Sequence, residues 1–149
     1  MDSIVVRGDI EDRFALQKFL EKAKVPYDEL IDQMELFSLL KNEHGDILGT
    51  IGFEIHQSSG LLRSLVVHPT VNEKQMILLF KSTFAIAKEK GLKELIIVTH
   101  RKEAKPFFKM LGFQETDAED ISPSILESYE NKIEDIVDNG LYIMKIHIK

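Results

Sequence analysis

Leu62-Arg63-Ser64-Leu65-Val66-Val67-His68-Pro69, followed without a glycine by Thr70-Val71-Asn72-Glu73-Lys74-Gln75-Met76-Ile77, is the stretch on which the fold turns. Leu61 to Val67 is almost wholly apolar, the pattern of a strand covered on both faces. Apolar residues then recur at helical spacing. Ile77, Phe80, Phe84 and Ala87 share one face of a helix predicted from Glu73 to Lys90. Gly91 stands where a helix ends in the left-handed conformation, and Glu94 to Thr99 is a second apolar strand. Strand, helix and strand in this order predict a right-handed βαβ unit if the strands are parallel. Such a unit sets a helix N-terminus beside the carboxyl ends of two strands, a natural place for an anion.

Further elements flank this unit. Ile4 to Arg7 reads as a short strand, and Asp9 with Asp12 three residues on marks a helix start. Leu16, Phe19, Leu20 and Ala23 carry that helix to about Lys24, where Val25-Pro26 breaks it. Tyr27 to Asp32 reads as a second short helix. Glu35 to Lys41 and Ile47 to Ile55 form an antiparallel pair around the turn cluster Asn42-Glu43-His44-Gly45-Asp46, and Ser58-Ser59-Gly60 turns the chain into Leu61 to Val67. After the βαβ unit come a helix from Lys102 to Leu111, a brief strand from Phe113 to Glu115, and a helix opened by Ser122-Pro123. Ile125, Tyr129, Ile133 and Ile136 would be the buried stripe of that helix, with Asn139-Gly140 ending it. Leu141 to Ile148 alternates apolar and polar residues as a final strand. The order predicts an α/β (α+β) fold: a mixed, mostly antiparallel sheet flanked by helices around a central βαβ unit, one domain over residues 1–149.

The bulk numbers narrow the function. The net charge of −6 argues against a general nucleic-acid binder, while one local basic patch still suffices for an anionic small ligand. There is no cysteine, so disulfides, zinc-thiolate sites and a catalytic thiol are excluded together. No apolar run approaches the ~20 residues of a membrane span, and the start of the chain lacks the apolar core of a signal peptide. A cytoplasmic protein is expected. The histidines at 44, 56, 68, 100 and 147 share no metal-ligand spacing and read as isolated surface or turn residues; no metal site is expected.

The chain resembles the GNAT superfamily of acetyl-CoA-dependent N-acyltransferases along most of its length. The matching pieces are Ile47-Leu48-Gly49-Thr50-Ile51-Gly52-Phe53, Leu65-Val66-Val67-His68-Pro69, the long amphipathic helix, and Phe107-Phe108-Lys109-Met110-Leu111-Gly112-Phe113. Within the superfamily, Gly60-Leu61-Leu62-Arg63-Ser64-Leu65-Val66-Val67-His68-Pro69, Thr99 with Phe107-Phe108, and Pro123-Ser124-Ile125 look most like the arsenic-resistance and amino-acid acetyltransferase branch.

The resemblance implies acetyl-CoA as co-substrate, lying in a splay between the Leu61–Val67 and Glu94–Thr99 strands. It implies that Leu65, Val66 and Val67 pair with the pantetheine arm, joined by Thr99 and Phe108. It also implies that the turn of Asn72, Glu73, Lys74, Gln75, Met76 and Ile77 holds the pyrophosphate at the helix N-terminus. Relatives place glycines in that turn for close backbone approach. Here Glu73, Gln75 and Ile77 replace them, a degenerate loop in which Glu73 adds like-charge repulsion and Lys74 offsets part of it. The turn is therefore either a divergent cofactor loop or an ordinary solvated helix start.

Acetyl transfer to an amine also needs a proton acceptor. Glu54 is the first candidate and Ser64 the second, Glu54 also being readable as an exposed strand carboxylate. Relatives carry a tyrosine acid on the helix where Phe107 and Phe108 stand. Arg101, Lys102, Lys105 and Lys109 form a basic cluster that reads as a solvated helix face or as a clamp for phosphates. The carboxylates at 115, 117, 119, 120, 127, 130, 134, 135 and 138 read as an outer helix face or as a field for a cationic amine. The expected function is an acetyl-CoA-dependent N-acetyltransferase acting on the amine of a small molecule by direct attack. The alternative is a non-catalytic binding or regulatory protein of the same fold that has lost the cofactor. No nucleic-acid or membrane partner is expected. A homodimer is open to it, with Leu141 to Ile148 as a strand that pairs with another chain.

Overall fold

A computed structural model describes residues 3–99, 101–121, 123–125 and 142–149. Its strands are β1 (Ile4–Arg7), β2 (Phe37–Lys41), β3 (Ile47–His56), β4 (Ser59–Val67), β5 (Glu94–Thr99), β6 (Gln114–Glu115) and β7 (Tyr142–His147). Its helices are α1 (Arg13–Lys22), α2 (Glu73–Glu89) and α3 (Lys105–Leu111). The strands make one sheet in the order β1-β2-β3-β4-β5-β7-β6. Among the described residues every neighbouring pair is antiparallel except β4 and β5. The expected mixed, mostly antiparallel sheet with a β4-α2-β5 unit at its centre is what forms.

Local chemistry explains the boundaries. Asp9 and Asp12 form the expected start as a capping box on a single 3₁₀ turn, Ile10–Asp12, that leads into α1, with the Asp9 amide donating to Asp12 Oδ2 at 3.0 Å. The end of α1 comes before Val25-Pro26. Lys24 turns left-handed at φ 60°, and the Val25 amide donates back to the Leu20 carbonyl at 2.9 Å, a Schellman closure. The helix expected over Tyr27 to Asp32 is instead a short 3₁₀ turn, Glu29–Asp32, capped by Asp28 through the Leu30 amide at 2.9 Å.

The α2 helix buries a face rotated from the one its apolar spacing predicts. Leu79, Phe80, Thr83, Ile86 and Ala87 are buried, while Ile77 and Phe84 are half-buried. Thr83 is tolerated there because its hydroxyl donates to the Leu79 carbonyl at 3.0 Å and also meets Ser38 on β2. Ser38 in turn reaches Ser82 at 2.9 Å. A Cβ at Gly52 would sit 2.6 Å from the Phe37 ring, so that ring lies flat on β3 only because position 52 is glycine. Phe80, Phe84, Phe107, Phe108 and Phe113 meet edge-on or tilted, with centroids near 6 Å, and lock α3 against α2.

The last strand takes an interior place in the sheet. β7 lies between β5 and β6, paired to β5 from Glu94↔His147 to Thr99↔Tyr142 and to β6 at Gln114↔Lys145 and Glu115↔Met144. The helix expected after Ser122, with Tyr129, Ile133 and Ile136, lies outside the described residues, apart from a helical turn at 123–125 in which Ile125 is buried. Ile121 and Ile125 join Leu61 and Ile96 in a small second apolar cluster.

Candidate functional site

Two irregularities of β4 create the site. The first is a bulge. β3 and β4 pair from His56↔Ser59 to Gly52↔Arg63, and again at Thr50↔Val66. Ile51 therefore faces both Ser64 and Leu65, the two-against-one count of a β-bulge. Ser64 absorbs it at φ 57°, in the left-handed region.

The second is a parting of the sheet. β4 pairs with β5 only over Ser59–Leu61 against Glu94–Ile96, after which β5 stays with β7. The backbone of β4 beyond Leu61 thus has no β5 partner on that side. The gap is a cleft of about 710 Å³, walled by residues 62–67 of β4 and 97–99 of β5, and lined also by Val25, Met76, Arg101, Phe107 and Phe108.

Of the residues expected from sequence, Ser64, Leu65, Val66, Val67, Met76, Thr99 and Phe108 line this cleft. Thr99 Oγ1 accepts the backbone amide of Arg101 at 3.1 Å. Asn72, Glu73, Lys74, Gln75 and Ile77 lie at the start of α2, outside the lining. There the Gln75 amide donates to Asn72 Oδ1 at 2.8 Å, and the Asn72 amide donates to Gln75 Oε1 at 2.8 Å. This reciprocal capping box uses one first-turn amide and folds the Gln75 side chain back over the helix end. Gln75 Nε2 also donates to Ser3 Oγ at 2.9 Å. The amides of Glu73 and Lys74 remain as first-turn donors with no intrahelical acceptor.

Glu54 lies outside the cleft lining and is tied to it through Arg63. Arg63 Nη1 donates to Glu54 Oε2 at 2.6 Å, and Nη2 to Asp28 Oδ2 at 3.1 Å. His56 Nε2 donates to Glu54 Oε1 at 2.7 Å, and its Nδ1 meets Ser124 Oγ at 3.1 Å. These bonds fix His56 as the Nε2–H tautomer, or as the imidazolium. A chain of polar groups thus runs from the α1–β2 connection across the sheet to the 123–125 turn. His56, read from sequence as an isolated surface residue, is half-buried within it. Arg63, Asp28 and Ser124 were missed as site residues. The hairpin register was the available signal. With His56 opposite Ser59, Glu54 and Arg63 fall diagonally on one face.

The basic cluster divides in the same way. Lys105 and Lys109 both pair with Glu115, and Lys105 Nζ sits 4.4 Å from the Tyr142 ring centroid. Hydrogen bonds from Lys105 and then Lys109 hold the Glu115 carboxyl below the ordinary glutamate range. Those lysines bind β6 to α3 rather than facing a ligand. Of the acidic run, positions 127–138 lie outside the described residues. No cluster of three metal-ligating side chains occurs among the described residues, nor a helix long and apolar enough to cross a membrane.

No protein-family model matches the sequence. The chain is 28% identical over 136 residues to the uncharacterized protein YwlB of Bacillus subtilis, covering 91% of this chain and 90% of that one. Its fold superposes on N-acetylglutamate synthase from Neisseria gonorrhoeae, solved with coenzyme A and N-acetyl-glutamate, with a TM-score of 0.74 at 16% identity. All of this chain matches there, but it spans only 36% of that enzyme's length. A GNAT-family acetyltransferase from Staphylococcus aureus superposes with a TM-score of 0.69 at 18% identity, covering 99% of this chain and 100% of the other. These likenesses establish the fold as that of the GNAT acetyltransferases.

Proposed function

We propose that this chain is an acetyl-CoA-dependent N-acetyltransferase that acetylates the amine of a small molecule by direct attack. The observation that carries the reading is the coincidence of the bulge with the parting of the sheet. An extended arm laid in the cleft would pair with the unpartnered backbone of β4 as the missing strand would. The bulge turns the Ser64–Leu65 peptide out of the ladder at the inner end of that cleft, where an amide can meet a carbonyl oxygen that gains negative charge. The residues present fit the pantetheine arm: the cleft walls are apolar at Leu65, Val66, Ile97 and Phe108, with unpaired backbone groups between them.

Acetyl-CoA supplies the acetyl group as an activated thioester, and the remaining work falls to the protein. Val66 and Val67 hold the arm, and Leu65 offers its amide to the developing oxyanion. Ser64 acts through its backbone geometry. The Glu54 carboxylate, shared between Arg63 and His56, takes the proton of the acceptor amine through an intervening water. Phe107 and Phe108 carry no acidic proton, so the departing thiolate takes its proton from solvent water. The arsenic-resistance and amino-acid branch remains the favoured relation, and the N-acetyl-glutamate bound by the gonococcal enzyme favours an amino-acid-like acceptor.

The second reading is a binding or regulatory protein of the same fold without transfer activity. The closed Asn72–Gln75 capping box and the absent tyrosine favour it. One experiment separates the two. The enzyme releases free thiol from acetyl-CoA when a panel of amines and amino acids is added, detected with a thiol reagent. The regulatory reading, a fold that has lost the cofactor, holds if millimolar acetyl-CoA gives neither heat nor a thermal shift, and that outcome would falsify the enzymatic reading.

A further inference from the structure

The capping box leaves a problem of charge at the mouth of the cleft. It occupies one of the amides that would face a diphosphate, and Glu73 adds a negative charge to the same first turn. A doubly anionic group entering that corner needs a compensating cation. The cations of the site differ in what already holds them. Arg63 is gripped by Glu54 and Asp28, and Lys105 and Lys109 by Glu115. Arg101 lines the cleft, and among the described residues no carboxylate pairs with it. Its backbone is pinned by the bond from its amide to Thr99 Oγ1, and its side chain is exposed.

Position supports the same residue. β4 and β5 run parallel, so their carboxyl ends, and the start of α2 that follows β4, lie at one end of the sheet. Arg101 leaves that end two residues after Thr99, and Met76 of the first turns of α2 borders the same cleft. A guanidinium also suits the ligand, since its planar fork matches two phosphate oxygens where an ammonium offers a point charge.

We propose that Arg101 is the principal anchor for the diphosphate of coenzyme A in this chain, taking over the charge compensation that a glycine-rich amide turn provides in related folds. The inference rests on the acetyltransferase reading above. It predicts a division of labour in which β4 holds the arm and a side chain from the β5–α3 connection holds the charge.

Calorimetric titration of the full chain with coenzyme A at several salt concentrations tests it. Wild type binds with an affinity that falls as salt rises, because an exposed cation–anion contact is screened. Arg101→Gln weakens binding by about tenfold to a hundredfold, the range of one charge-assisted contact, and flattens the salt dependence. Arg101→Lys keeps the salt dependence and loses only several-fold. Unchanged affinity in Arg101→Gln overturns the proposal, and so does weaker binding with the wild-type salt slope, which would mark a merely structural role. In both cases wild-type binding leaves the acetyltransferase reading standing. If wild type does not bind coenzyme A at all, that reading falls and this inference falls with it.

Discussion

Ser64 is where backbone strain and function meet. A side chain at φ 57° costs about 1 kcal/mol against the right-handed or extended regions. The strain is held by the fixed pairing on either side of the bulge. Ser64→Gly should therefore be neutral, or stabilising by up to about 1 kcal/mol, as relief of strain is partly offset by the entropy of glycine. Ser64→Val should lose about 2 kcal/mol, because a β-branched residue resists that region most. Urea unfolding midpoints at constant slope measure both. The letters Leu-Arg-Ser-Leu-Val place two polar residues side by side, but a strand read as covered on both faces carries no expected alternation, so the inserted residue leaves no phase error to detect. Arg63 was more legible, since hairpin register alone sets it diagonal to Glu54. Its side chain and that of Glu54 are only 14% and 18% exposed. Arg63→Met should thus destabilise by about 2 kcal/mol by removing the guanidinium that two carboxylates share. Adding Glu54→Gln to Arg63→Met should cost less than the sum of the single changes, a coupling that a double-mutant cycle reads directly.

At the level of the element, α2 shows how one helix start serves stability at the expense of a ligand. Its existence and ends were plain in the sequence: apolar recurrence from Glu73 onward, and Gly91, which takes φ 75°. Which face it buries was not. The rotation depends on Ser38 of β2 finding Ser82 and Thr83, a contact between residues some forty positions apart that no local period encodes. The cap carries a prediction. Asn72→Ala should cost about 1 kcal/mol of stability. Gln75→Gly should also destabilise, by about 1 kcal/mol, yet tighten coenzyme A binding by clearing the side chain folded over the first turn. Thermal unfolding and titration on the same variant should move in opposite directions. The α3–β6 contact gives a pH signature. Because Glu115 is held below its ordinary value of 4.5 by Lys105 and Lys109, its contribution is present above that value and fades as pH falls through the lower folded-state pKa. Wild type should be more stable than Glu115→Gln at neutral pH, and the gap should close on acidification.

Across the whole molecule, the sheet is two antiparallel blocks, β1-β2-β3-β4 and β5-β7-β6, joined by three residue pairs of one parallel ladder. Aromatic packing from Phe80 to Phe113 and the burial of α2 hold the blocks together on one face. On the sheet itself the seam opens into the cleft. The strand order was only partly legible, because β7 enters between β5 and β6 from a distance of some forty residues. Its alternating pattern announces a strand but not its neighbours. This construction ties the resting state to the ligand. The β4 amides beyond Leu61 that face away from β3 have no ladder acceptor, so they should exchange with solvent deuterium faster than those of Leu61, which are paired to β5. An arm lying along β4 supplies the missing acceptors. Added coenzyme A should then slow exchange in residues 62–67, while β1 and β2 stay unchanged. A uniform slowing over the whole sheet would instead mean that the ligand acts by general stabilisation, and that the seam is not where it lies.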